Sequence, residues 1–119
     1  MEPIERRQEI RINNHNTFQF KTTQNGQAAQ TTSQGLLVDY SAAGIRFITD
    51  EPVGKNISLL IQLDLNDFNN DDINWRDLWD TGEEPYLNVI GSVMWCLASD
   101  NESGKYEVGT RFTQKATTL

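Results

Sequence analysis

Apolar and polar residues alternate along most of this chain with a period of two. Ile57, Leu59, Ile61, Leu63 and Leu65 share one side against Ser58, Gln62 and Asp64, with Leu60 breaking the polar side. Leu87, Val89, Val93 and Trp95 share a parity, and so do Tyr106, Val108, Thr110 and Phe112. Successive side chains leave a strand on opposite faces, so this alternation predicts half-buried strands. Asn25-Gly26 is a tight-turn dipeptide, and Asp100 to Gly104 reads as the loop of a terminal hairpin. Leu36 to Asp39 and Ile45 to Thr49 read as two further strands around a turn. Five to seven short strands in one small domain predict an antiparallel barrel, whose closure also removes exposed sheet edges.

One stretch departs from this period. Within residues 64–84, Trp75, Leu78 and Trp79 recur at helical spacing, and Asp71-Asp72 could cap a short helix bearing them. The same stretch holds eight carboxylates against Arg76 alone, which equals the whole formal charge of −7. This acidic insert has two readings. Its apolar face could close the barrel as a lid, or two exposed tryptophans ringed by carboxylates could dock a partner with a basic rim.

Composition narrows the remaining choices. The 119 residues suit a single domain, 1–119, with one core. The acidic balance argues against DNA, RNA or anionic-membrane binding. No apolar run reaches the length of a membrane span, and the polar N-terminus is unlike a signal peptide. The lone Cys96 excludes an internal disulfide and fits a reducing compartment, so a cytoplasmic location is expected. His15 lies among asparagines and reads as a loop residue. One His, one Cys and scattered acids give neither a metal-ligand cluster nor a nucleophile–base pair, so no enzyme and no cofactor are expected.

Two short motifs carry the chemistry. Arg6-Arg7-Gln8-Glu9-Ile10-Arg11 reads RRxxxR, and Asp39-Tyr40-Ser41-Ala42-Ala43-Gly44 reads DxSxxG. Taken alone, the first could be a solvated basic start paired with Glu5 and Glu9, worth little, and the second a plain hairpin connection. Taken in this order, the pair resembles the PilZ domain, a bacterial receptor module for cyclic di-GMP. Ile45-Arg46-Phe47, Gly91 to Trp95 and Tyr106 to Phe112 are similar to later strands of that family, so the resemblance covers most of the chain. It implies a six-stranded β-barrel with a flexible arginine arm, residues 1–12, folding over its surface. Many family members continue into a C-terminal helix, whereas only Gln114 to Leu119 follow the last expected strand here, leaving room for a stub.

The resemblance implies cyclic di-GMP held by Arg7 and Arg11 from the arm and by Asp39, Ser41 and Gly44 from the barrel. Arg6 matches an extra arginine of members thought to take up a stacked ligand pair. The residue types suit that ligand, which carries two phosphodiesters and two guanines. Arginine presents a planar fork that fits phosphate oxygens or the guanine O6/N7 pair. Arg7 and Arg11 lie about 13 Å apart if extended. Asp39 can accept from guanine N1–H and N2–H₂ or orient an arginine. Ser41 can meet the ligand or close the turn. Gly44 can let the backbone approach the ligand or take a positive φ. Trp95 could stack on a guanine, although ordinary core packing is the stronger reading. The expected output is an arm ordered by ligand, with the new surface passed to an unidentified downstream protein. The alternative is a nucleotide-independent interaction module working through the acidic tryptophan insert.

Overall fold

Alternating residues become strands here because each strand has a core face and an outer face. The computed structural model describes residues 12–13, 15–24, 27–67, 73–100 and 103–116. In chain order they form β1 (Ile12–Asn13), β2 (Thr17–Gln24), β3 (Gln27–Ala28), β4 (Ser33–Ser41), β5 (Gly44–Thr49), β6 (Ser58–Asp64), α1 (Trp75–Trp79), β7 (Tyr86–Ala98) and β8 (Tyr106–Lys115). Strands pair in the order β4-β5-β8-β7-β6-β2, and β2 pairs back onto β4. Every pairing is antiparallel, so six strands close a barrel, as expected from the sequence. The two-residue strands β1 and β3 lie beside β4 and β2. No helix among the described residues is long and apolar enough to cross a membrane.

The core fills the barrel. Leu59, Ile61 and Leu63 of β6, Leu87, Val89 and Val93 of β7, and Val108 of β8 are all fully buried. Phe18 and Phe20 of β2 add a second face, where Phe18 meets Phe47 edge-on with centroids 4.9 Å apart. That geometry suits the ring quadrupoles.

The acidic stretch forms a helix as expected, but its details differ. Asn74 caps α1: its Oδ1 accepts from the Asp77 N–H at 3.2 Å, while its Nδ2 donates to Asp77 Oδ2 at 2.9 Å. The proposed caps Asp71 and Asp72 lie outside the described residues. Trp75 is buried against Tyr40 and Phe112, at 5.6 and 6.0 Å, and Trp79 packs on Phe112 at 5.9 Å. The tryptophans therefore face the core and Leu78 faces solvent, at 52 % exposure. This removes the premise of two exposed tryptophans for docking and agrees with the lid. Arg76 holds the return loop by donating to the carbonyls of Gly82 and Glu84, both at 2.7 Å. The last strand also runs further than expected, through Lys115. The Asn25-Gly26 turn lies outside the described residues, although Gln24 and Gln27 pair across it.

Candidate functional site

The second motif is a tight hairpin. Ser41 pairs with Gly44, so Ala42 and Ala43 alone connect β4 to β5. Ser41 is fully buried, and its Oγ accepts from the Ala43 N–H at 3.2 Å. Its hydroxyl thus closes the turn from within, a local bond that serine favours. Gly44 does not take a positive φ. A Cβ there would sit 2.1 Å from the Thr110 carbonyl oxygen, so its missing side chain admits the neighbouring strand β8.

Asp39 and Trp95 are placed by two irregularities in the ladder. The register shifts between Leu37 and Asp39 in β4, and between Val93 and Trp95 in β7. Each extra residue reverses the side-chain alternation beyond it. Leu37 points into the core, but after the shift Tyr40 takes the core position and Asp39 the outer face. Val93 is fully buried, whereas Trp95 leaves the core and lies half-buried. The parity that suggested core packing for Trp95 therefore fails at Met94.

Registers then align the outer face. Asn13 pairs with Asp39, Asp39 with Arg46, Arg46 with Gly109, and Gly109 with Trp95. These residues form one row across β1, β4, β5, β8 and β7. Neighbouring strands are about 4.8 Å apart, so Asp39 and Trp95 stand roughly 14 Å apart. The Trp95 indole fills the space over Gly109, since a Cβ on that glycine would come within 2.3 Å of the ring. A depression of about 280 Å³ remains, lined by Asp39, Ile45, Arg46, Met94, Trp95, Gly109 and Thr110. A larger depression of about 440 Å³, lined by Ser33, Gln34, Asp50 and Lys105 among others, contains none of the motif residues.

Electrostatics concentrate on Arg46, which the motifs do not contain. Its Nη2 donates to Asp39 Oδ2 at 2.5 Å, and its Nη1 stands 3.5 Å from Glu107 Oε2. Asp39 is only 5 % exposed, so this partner offsets the cost of burying its carboxylate. The Arg46 Nε–H is buried and has no acceptor among the described residues. Arg111, exposed on β8, pairs in register with Gly44 and places a second cation near the motif. The sequence signal for both was a basic residue at an outward position of a closing strand. Burial pushes the Tyr40 phenol, next to Asp39, above its ordinary range.

Of the expected site residues, the structure gathers Asp39, Ser41, Gly44 and Trp95 around one hairpin and one row. Arg6, Arg7 and Arg11 lie outside the described residues. The chain that follows Arg11 directly is β1, and Ile12 pairs with Tyr40 while Asn13 pairs with Asp39.

Among solved structures, the chain is similar to the Bacillus subtilis inhibitor of motility, MotI/DgrA. The two share 16 % identity with a TM-score of 0.53, over 98 % of this chain and 50 % of that one. The likeness is one of fold, and this chain spans half the length of that protein. No family model and no curated protein matches the chain.

Proposed function

We propose that the chain is a PilZ-type receptor domain for cyclic di-GMP. The observation that supports this most is the pairing of β1 with β4. It sets the residues immediately after RRxxxR against Asp39 and Tyr40 of DxSxxG. A backbone ladder thereby joins the chain just after the first motif to the second motif, some thirty residues further on.

In this reading Arg7 and Arg11 grip phosphates and base edges with their planar forks. Asp39, with Ser41 shaping the turn and Gly44 fixing the strand approach, supplies the acceptor side. The β1 ladder is only two residues long, so its hydrogen bonds contribute modestly, at about 1 kcal/mol each. Ligand contacts to both arm and barrel would then shift the arm towards its docked state, by the difference in affinity between the two states. The output is a composite surface of arm, ligand and barrel presented to another protein, without catalysis. That the solved neighbour is an inhibitor of motility fits a receptor acting through protein contact.

Calorimetric titration with cyclic di-GMP tests the proposal. Saturable binding that Arg11→Ala loses is the expected result, with a stoichiometry of two ligands per chain if Arg6 supports a stacked pair. Flat heats for the unaltered chain at several salt concentrations would refute it.

A further inference from the structure

We propose that the cleft between the first half of β4 and the end of β5 is a docking site for an extended basic peptide, which adds to β4 as a further strand. The inference is independent of nucleotide binding, since no motif residue lines this cleft. From its start at Ser33, β4 pairs with β2 through Phe20–Ser33, Gln19–Gln34 and Phe18–Gly35. Its ladder with β5 reaches only to Leu36–Ile48. Among the described residues, 33–35 are therefore paired on one edge alone. The Leu37 N–H donates to the Asn16 carbonyl on the β2 side, so by alternation the N–H and C=O of Gln34 turn to the open edge. A continued ladder would bring Asp50 opposite Gln34, but no backbone bond joins them among the described residues.

Two features hold the walls of the cleft in place. Gly35 rests on the core rings, where a Cβ would come within 2.7 Å of Phe18 and 2.8 Å of Phe47. Thr49 pairs with Tyr106, and Lys105 Nζ donates to the Asp50 carboxylate, so the end of β5 is drawn towards β8. The cleft holds about 440 Å³, within the range of about 300–1,000 Å³ for ligand pockets. Its lining suits a peptide. The open Gln34 groups match a peptide backbone, as in strand addition to a sheet edge. Leu36, 41 % exposed, and half-buried Ile48 offer an apolar contact to alternate side chains of an added strand. The rim sets the charge: exposed Asp50 and Glu51 stand against Lys105, which Asp50 already engages. Lysine or arginine beside an apolar residue complements that rim. A second copy of this chain fits poorly, because it brings the same acidic rim and a formal charge of −7.

Selection of short randomised peptides, displayed on phage, against the full chain tests the proposal. Recovered peptides are synthesised and titrated while backbone amide resonances are followed by NMR. The expected result is a shared pattern of alternating apolar residues with lysine or arginine between them, and shifts centred on Gln34, Gly35, Asp50 and Glu51. N-methylation of a peptide amide facing β4 removes a strand donor and is expected to weaken binding about tenfold. Leu36→Ser is expected to weaken it by about tenfold, and Glu51→Lys by about threefold. Thermal melts report folding; if Leu36→Ser does not fold, Glu51→Lys and the N-methylated peptide carry the test. Recovery of no peptide, recovery of acidic peptides, shifts confined to another surface, or indifference to N-methylation overturns the proposal. Sedimentation of the unaltered chain as a dimer that Leu36→Ser dissolves also overturns it, by making a second copy the occupant.

Discussion

Gly44→Ala separates two roles for the last residue of DxSxxG. A methyl group built there lies 2.1 Å from the Thr110 carbonyl oxygen and 3.1 Å from the Arg111 Cα. Carbon–oxygen contacts of this kind settle near 3.3 Å or beyond, so the shortfall is about 1.2 Å. Both sides of the clash are backbone, so no rotamer change relieves it. The start of β5 must move off β8, which strains the adjoining Phe112 N–H to Ala43 carbonyl bond of 2.8 Å. Overpacking costs about 1–3 kcal/mol, and each ladder bond lost adds about 1 kcal/mol. The expected loss is therefore about 2–4 kcal/mol. A domain of this size holds roughly 6–18 kcal/mol in total, so the variant folds but melts about 8–15 °C lower. Denaturant unfolding followed by tryptophan fluorescence measures the difference. A variant within about 0.5 kcal/mol of the parent would refute the reasoning. Intact stability combined with lost nucleotide binding would return Gly44 to the role of admitting ligand.

The lid and the buried phenol give two further outcomes. Trp75→Ala empties a buried site between Tyr40 and Phe112 and is expected to cost about 3–5 kcal/mol, whereas Leu78→Ala on the solvent side of α1 changes stability by less than about 0.5 kcal/mol. Chemical denaturation of both variants checks this, and equal effects would contradict the packing of α1. Tyr40 has a folded-state pKa raised by burial, so its stability contribution is complete below the unfolded value near 10 and is lost as pH rises through the folded one. Tyr40→Phe removes that loss, and its unfolding midpoint should fall less steeply above about pH 10 than that of the parent. Parallel decline of the two proteins would show that Tyr40 is not the group responsible.

Much of the barrel follows from residue order alone. The alternation in β6, in the first part of β7 and in β8 matches the buried positions because each strand has one core face. Phe18 and Phe20 of β2 are buried between the outward polar residues Thr17, Gln19 and Lys21, the same alternation. The site was harder to read for one physical reason. Asp39 and Trp95 each sit just beyond an extra residue, Val38 or Met94, and a single insertion reverses the parity on which sequence reading depends. Nothing in the composition of either strand marks the shift. Gly44 had the same limit, since the atom that excludes its side chain belongs to a strand far along the chain. Arg46 was visible as an outward arginine, but its partners Asp39 and Glu107 become neighbours only through the β4–β5–β8 registers.

The barrel's closure also sets how it must be assembled. Four of its pairings, β2–β4, β4–β5, β6–β7 and β7–β8, join strands that are neighbours along the chain or nearly so. Two seams join distant segments. Thr110 donates to the Ile45 carbonyl at 3.1 Å across 65 residues, and Thr23 donates to the Ser58 carbonyl at 3.1 Å across 35. Chains dominated by such long-range pairings close slowly, because loop entropy is lost before the contacts that reward it form. Until β8 meets β5, the edges of two prebuilt β units stand open to other chains. That seam passes through Gly44, so the residue that admits β8 also governs how long folding leaves the molecule exposed to aggregation.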